Sequence, residues 1–286
     1  MNELFTQLFL PSGLLFFPLI VGCMGSLTFG VVGSYVTARR VTYIGTGISH
    51  AVVGGVGAAF FFQSVTGWGW LSPTVGAFAA AVVSGVIIGR VILTSGHKAD
   101  SVITAVMVIG MSSGVLFLNK TPGYHDPMSM LFGDILLVSR QDLPVIALVN
   151  AGVILIGLLF YNRLLMVCFD EEFARLRGIN ADAYFMLLIL LTALTTVVMM
   201  KIVGVIMVIA LLSLPAMTGA LIGRKLWHCM LAATVICAFC VILGLVVSYI
   251  LDLSSGPLIV VFSGAVHLVA LTVRRFWPVS RLAHGS

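Results

Sequence analysis

Charge is what this sequence has least of. Only 9% of its 286 residues are charged, 15 Lys and Arg against 10 Asp and Glu, while 60% are hydrophobic. A soluble domain carries roughly 25% charged residues, so a water-facing surface cannot be made from this inventory. With a mean hydropathy of +1.17, the apolar residues exceed what one globular core could hide, and a bilayer is the remaining place for them. At about 20 apolar residues per span there is material for about eight or nine helices and almost none for a soluble domain. The expected fold is an all-α, polytopic membrane bundle forming one domain over residues 1–286. A nucleotide-binding or large catalytic domain is excluded.

Other absences narrow the function further. There is no GxxxxGK[ST] phosphate loop. Cys23, Cys168, Cys229, Cys237 and Cys240 form no CxxC pair and read as reduced, structural residues. No Lys or Arg precedes the first apolar run, so the basic start of a cleavable signal is missing and that run is expected to be retained. Every Asp and Glu falls in a loop, at a span end or in a short helix, which argues against a carrier driven by an ion gradient and against an intramembrane aspartyl protease. The basic residues are scattered singles and pairs, so the net charge of +5 reflects topology and not nucleic-acid binding.

What the sequence does contain is nine apolar stretches: Leu14 to Val36, Ile44 to Phe62, Pro73 to Leu93, Val102 to Leu118, Leu143 to Tyr161, Ala183 to Met200, Val203 to Ile222, Cys229 to Leu251 and Pro257 to Val273. Pro127 to Val138 is too short to cross and holds Asp134, so it reads as a re-entrant or surface helix. An N-terminus outside places twelve Lys and Arg in the cytoplasm, Lys98 and Arg281 among them, and only Lys120, Arg140 and Lys201 outside. This positive-inside bias predicts a cytoplasmic C-terminus. The loop Gln63 to Ser72, with Trp68 and Trp70, reads either as an outer aromatic belt or as packing between helix ends.

His50 is the strongly polar side chain singled out within a span. It lies ten residues from Arg40, roughly 15 Å into the bilayer at 1.5 Å per residue. Thr46 shares its face one turn earlier, and Gly47, Ala51, Gly55 and Ala59 form an adjacent small-residue stripe that permits close helix contact. A neutral imidazole is a ligand for divalent transition metals; the competing reading is a hydrogen bond to a neighbouring helix. Met107 and Met111 stack one turn apart, a spacing more often due to packing than to metal binding. Gly110 to Gly114 matches GxSxG by chance, because that motif needs a strand turning into a helix.

A second distinctive segment spans about residues 168–180. Phe169, Phe173 and Leu176 recur at helical spacing among Asp170, Glu171, Glu172, Arg175 and Arg177, with Gly178 as a stop. One amphipathic helix from Asp170 to Gly178 is expected. Its mixed charge suits a groove on another protein better than a lipid surface; the competing reading is an ordinary loop helix lying against the bundle.

These residues resemble the membrane subunits of bacterial ABC importers for manganese, zinc or iron. Gly45, Thr46, Gly47, Ile48, Ser49, His50 and Ala51 are similar to the family's second-span motif, which typically has Asp where Thr46 stands. Asp170, Ala174, Gly178 and Ile179 match the spacing of its cytoplasmic coupling segment. Leu131, Phe132 and Gly133, then Leu136, Leu137, Val138 and Ser139, also resemble the family, as does the stretch from Val203 and Gly204 through Ala210 and Leu211 to Pro215 and Ala216.

The resemblance implies an ABC importer permease fold in the cytoplasmic membrane and a non-enzymatic chain that binds no cofactor. ATP would be hydrolysed on separate cytoplasmic subunits, and a divalent metal would be the substrate. Implied partners are those ATPases, an extracytoplasmic metal-binding protein and a second copy of the chain. His50 and Thr46 would line the metal pathway, with His50 as a ligand. Asp170, Phe173, Ala174 and Gly178 would couple to the ATPase. The alternative is an ATP-independent carrier or channel for a small cation or metal chelate.

Overall fold

The computed structural model describes residues 15–94, 99–122, 131, 133, 135, 140 and 143–276. Most of the expected short helix Pro127 to Val138, with the motif residues Phe132 and Leu136 to Ser139, lies outside the described residues, as do the N-terminal segment, Lys98 and Arg281.

Eleven helices follow one another among the described residues: α1 Phe16–Ala38, α2 Thr42–Thr66, α3 Pro73–Thr94, α4 Ala99–Lys120, α5 Leu143–Leu159, α6 Tyr161–Phe169, α7 Glu171–Leu176, α8 Ala181–Val203, α9 Val205–Ile222, α10 Leu226–Leu251 and α11 Ser255–Phe276. Eight are long and apolar enough to cross a membrane by themselves, and α5 with α6, bent by 69° at their junction, makes a ninth if the pair counts as one span. Most are apolar on all sides, as helices in lipid must be. Every expected stretch therefore finds its helix.

The central helices are α1, α2, α8 and α9. On one side α2 packs against α3 and α4; on the other, α9 and α1 pack against α10, and α9 against α11. α8 crosses the middle, touching α1, α2, α3 and α5. The least buried spans are α4 and α11, at the two flanks.

Small residues bring the backbones together. A Cβ on Gly54 of α2 would lie 2.6 Å from the Gly110 carbonyl oxygen of α4, and one on Gly114 would lie 2.6 Å from the Val53 carbonyl oxygen. The expected stripe also serves this purpose, since a Cβ on Gly55 would fall on the Gly76 carbonyl of α3. Without a hydrophobic drive between helices in lipid, such backbone proximity is what holds neighbours in place. Between α8 and α9 the chain breaks at one residue, Gly204, with φ 82° and ψ 163°, a conformation open essentially to glycine alone. Gly133 packs against this break.

Trp68 and Trp70 stack on each other with centroids 5.7 Å apart and remain exposed, instead of packing between helix ends. The five cysteines are unpaired.

Candidate functional site

Thr46 and His50 stand one turn apart on α2, both half-buried, on the face of the helix that the bundle covers least. The ring Nδ1 of His50 lies 2.9 Å from the Thr46 carbonyl oxygen. A carbonyl only accepts, so Nδ1 carries the proton in this bond and the Nε2 lone pair is left for a ligand. That is the arrangement by which proteins orient a metal-binding imidazole. The Thr46 hydroxyl has no hydrogen-bond partner among the described residues. No cluster of three or more His, Cys, Asp or Glu side chains capable of holding a metal occurs among the described residues. The face thus presents an open imidazole and a neutral hydroxyl, which can contact a passing cation without trapping it.

Behind this face α4 presses Gly110 against the His50 and Ala51 backbone, so α2 has little room to shift. Met107 and Met111 are half-buried on α4. Ser113 donates to the Gly110 carbonyl at 3.0 Å within the helix, an ordinary helical contact that removes any nucleophile-elbow reading.

Beside His50 and Thr46, Asn150 and His267 are polar side chains within spans to which no sequence motif points. Asn150 of α5 is buried, and its Oδ1 accepts from the Thr28 hydroxyl of α1 at 2.7 Å. His267 of α11 lies 2.9 Å from Thr218 Oγ1 of α9; since that hydroxyl donates to the Leu214 carbonyl, the His267 Nδ1–H donates to it. Both were visible as polar residues inside apolar runs. These contacts tie helices together, whereas among the described residues His50 bonds its own helix through Nδ1.

The amphipathic helix expected from Asp170 to Gly178 forms as α7, but Phe169 lies outside it, at the end of α6. Asp170, at φ −149°, separates the two, ending α6 at Phe169 and capping the six-residue α7, where its side chain accepts from the Phe173 N–H at 2.9 Å. A short acceptor at this position satisfies an amide that the helix cannot, so the chain restarts there. At the other end Gly178 adopts φ 75°. The Gly178 N–H donates to Arg175 O and the Ile179 N–H to Ala174 O, both at 3.0 Å, closing a Schellman stop. Ala174 is fully buried against the bundle. Asp170, Ala174, Gly178 and Ile179 therefore shape and seat the helix.

The apolar side chains around it are left uncovered. Phe169, Phe173 and Leu176 are 67%, 43% and 87% exposed. Beside them Glu171 accepts from Arg39 of α1 and, at 2.7 Å, from Arg175, which also reaches Asp182 of α8 at 2.6 Å. Burial alone would raise the Glu171 carboxyl, but the hydrogen bonds and charges of Arg175 and Arg39 outweigh it and hold it below its usual value.

Helices of this length and polarity define a multi-pass membrane protein. The chain belongs to the ABC 3 transport family, which matches residues 13–274. It is 33% identical over 282 residues to a probable metal transport system membrane protein of Chlamydia trachomatis, covering 98% of this chain and 95% of that one. To the manganese import system permease protein ScaB of Streptococcus parasanguinis it is 30% identical, with 89% of each chain covered. Among solved structures, PsaBC from Streptococcus pneumoniae in complex with Fab superposes with a TM-score of 0.84 at 26% identity, covering 98% of this chain and 99% of that one.

Proposed function

We propose that this chain is the membrane-spanning subunit of an ATP-driven importer for a divalent transition metal, with manganese the foremost candidate and zinc and iron the others. The observation that carries the transport reading is His50, whose Nδ1 is occupied by its own helix while Nε2 stays open. The relative named as a manganese import permease supports the choice of cargo. Imidazole accepts manganese, zinc and iron alike, so His50 does not select among them. Thr46 adds an oxygen without charge, which favours release over retention.

Energy enters from a cytoplasmic ATPase that docks on Phe169, Phe173 and Leu176, since the chain has no phosphate loop of its own. An extracytoplasmic metal-binding protein delivers the cargo, and a second copy of the chain completes the permease. Within the cytoplasmic membrane the positive-inside bias supports an exterior N-terminus and cytoplasmic α7 and C-terminus. Phe173→Asp tests the docking reading: the ATPase should no longer co-purify, and an intact complex would refute it.

A further inference from the structure

The short helix α7 is fastened to α1 and α8 by a chain of charges, and Arg39 is its pivot. Arg39 is the C-cap of α1. The next residue, Arg40, sits in the left-handed region at φ 61°, and its N–H closes the turn on Thr37 O at 3.0 Å. A non-glycine residue pays for that conformation with backbone strain. Two residues later α2 begins, and Thr46 lies one turn inside it. The elbow between α1 and α2 is therefore short and strained, and it leads directly to the Thr46–His50 face.

Arg39 is held there from two sides. Its guanidinium donates to Glu171 of α7 and lies over the Phe185 ring of α8, 5.4 Å from the centroid. The side chains of Arg39 and Glu171 are only 21% and 26% exposed, so solvent screens this pair less than a surface bridge. Glu171 in turn binds Arg175, which continues to Asp182 in the first turn of α8. The four charges cancel and join α7 to α1 and α8 at once.

We propose that the Arg39–Glu171 pair is the link through which displacement of α7 reaches the helix bearing Thr46 and His50. This rests on α7 being the ATPase-coupling helix. Arg39 and Glu171 act as positioning residues: neither meets the metal, and neither belongs to the exposed Phe169, Phe173 and Leu176 surface. Movement of a rigid, doubly capped α7 transmits force through Glu171 to the elbow, and hence to the pathway. Without the pair, α7 remains docked to its ATPase but slips relative to α1.

The test uses the permease co-purified with its ATPase and reconstituted in proteoliposomes, with manganese taken up per ATP hydrolysed as the readout. R39Q and E171Q should retain the ATPase and hydrolyse ATP, while the metal-to-ATP ratio falls about tenfold. R39K, which keeps the ion pair, should hold the ratio within about twofold of wild type, and this comparison stands even if R39Q fails to assemble. An unchanged ratio in E171Q, a fall in R39K as deep as in E171Q, or loss of the ATPase from E171Q would overturn the proposal. Retention of the ATPase by Phe173→Asp would instead refute the coupling-helix reading itself, which separates the two failures.

Discussion

The imidazole of His50 spends one nitrogen on the Thr46 carbonyl oxygen, 2.9 Å away on its own helix, and so keeps the other as a lone-pair donor. The site at position 46 then contributes only a hydroxyl. A carboxylate there would add a charged oxygen one turn from the imidazole, a far better pair for a divalent cation.

Thr46→Asp should accordingly tighten metal binding by about tenfold or more. Metal retained by the purified permease after desalting, quantified by elemental analysis, would reveal this. Equal retention in both proteins would mean that residue 46 does not face the cargo.

The α2–α4 contact should be intolerant of even one carbon. A methyl group on Gly54 would sit 2.6 Å from the Gly110 carbonyl oxygen and 3.1 Å from Ser113 Oγ, so Gly54→Ala should cost about 1–3 kcal/mol by overpacking. Thermal unfolding of the purified protein should show a lowered midpoint. A midpoint equal to wild type would show that the two backbones are not in contact.

The charge network should be silent through neutral pH. Glu171 has its folded value depressed by Arg175 and Arg39, so its contribution is complete above the unfolded glutamate value of about 4.3 and is lost as pH falls through the lower folded value. The difference in unfolding midpoint between wild type and E171Q should stay constant from about pH 6 to 8 and shrink only below about pH 4. A difference that vanishes by pH 6 would contradict this account of the network.

Much of this architecture could be read from local pattern. Pro73 opens α3, Leu143 opens α5 and Leu251 closes α10 where the apolar runs begin and end, because span length and hydropathy dominate in lipid. His50 and the exposed Phe173 were legible for the same reason, each violating the polarity of its surroundings. The break at Asp170 was not: helical periodicity continues across it, and the acid that reads as first-turn charge is the cap of a new helix. The 69° bend between α5 and α6 falls where the apolar run ends, at Asn162 and Arg163, but polarity there says nothing of the direction in which the chain turns. The bond of Arg39 to Glu171, 132 residues apart, depends on how the helices pack, and no spacing along the chain encodes it.

The most direct measurement is ATP-dependent manganese uptake by proteoliposomes holding the permease with its ATPase, compared between wild type and His50→Ala. The account predicts uptake by wild type that requires ATP and falls at least about tenfold in His50→Ala, the ATPase remaining bound. Equal uptake by the two proteins, or uptake that proceeds without ATP, would contradict it.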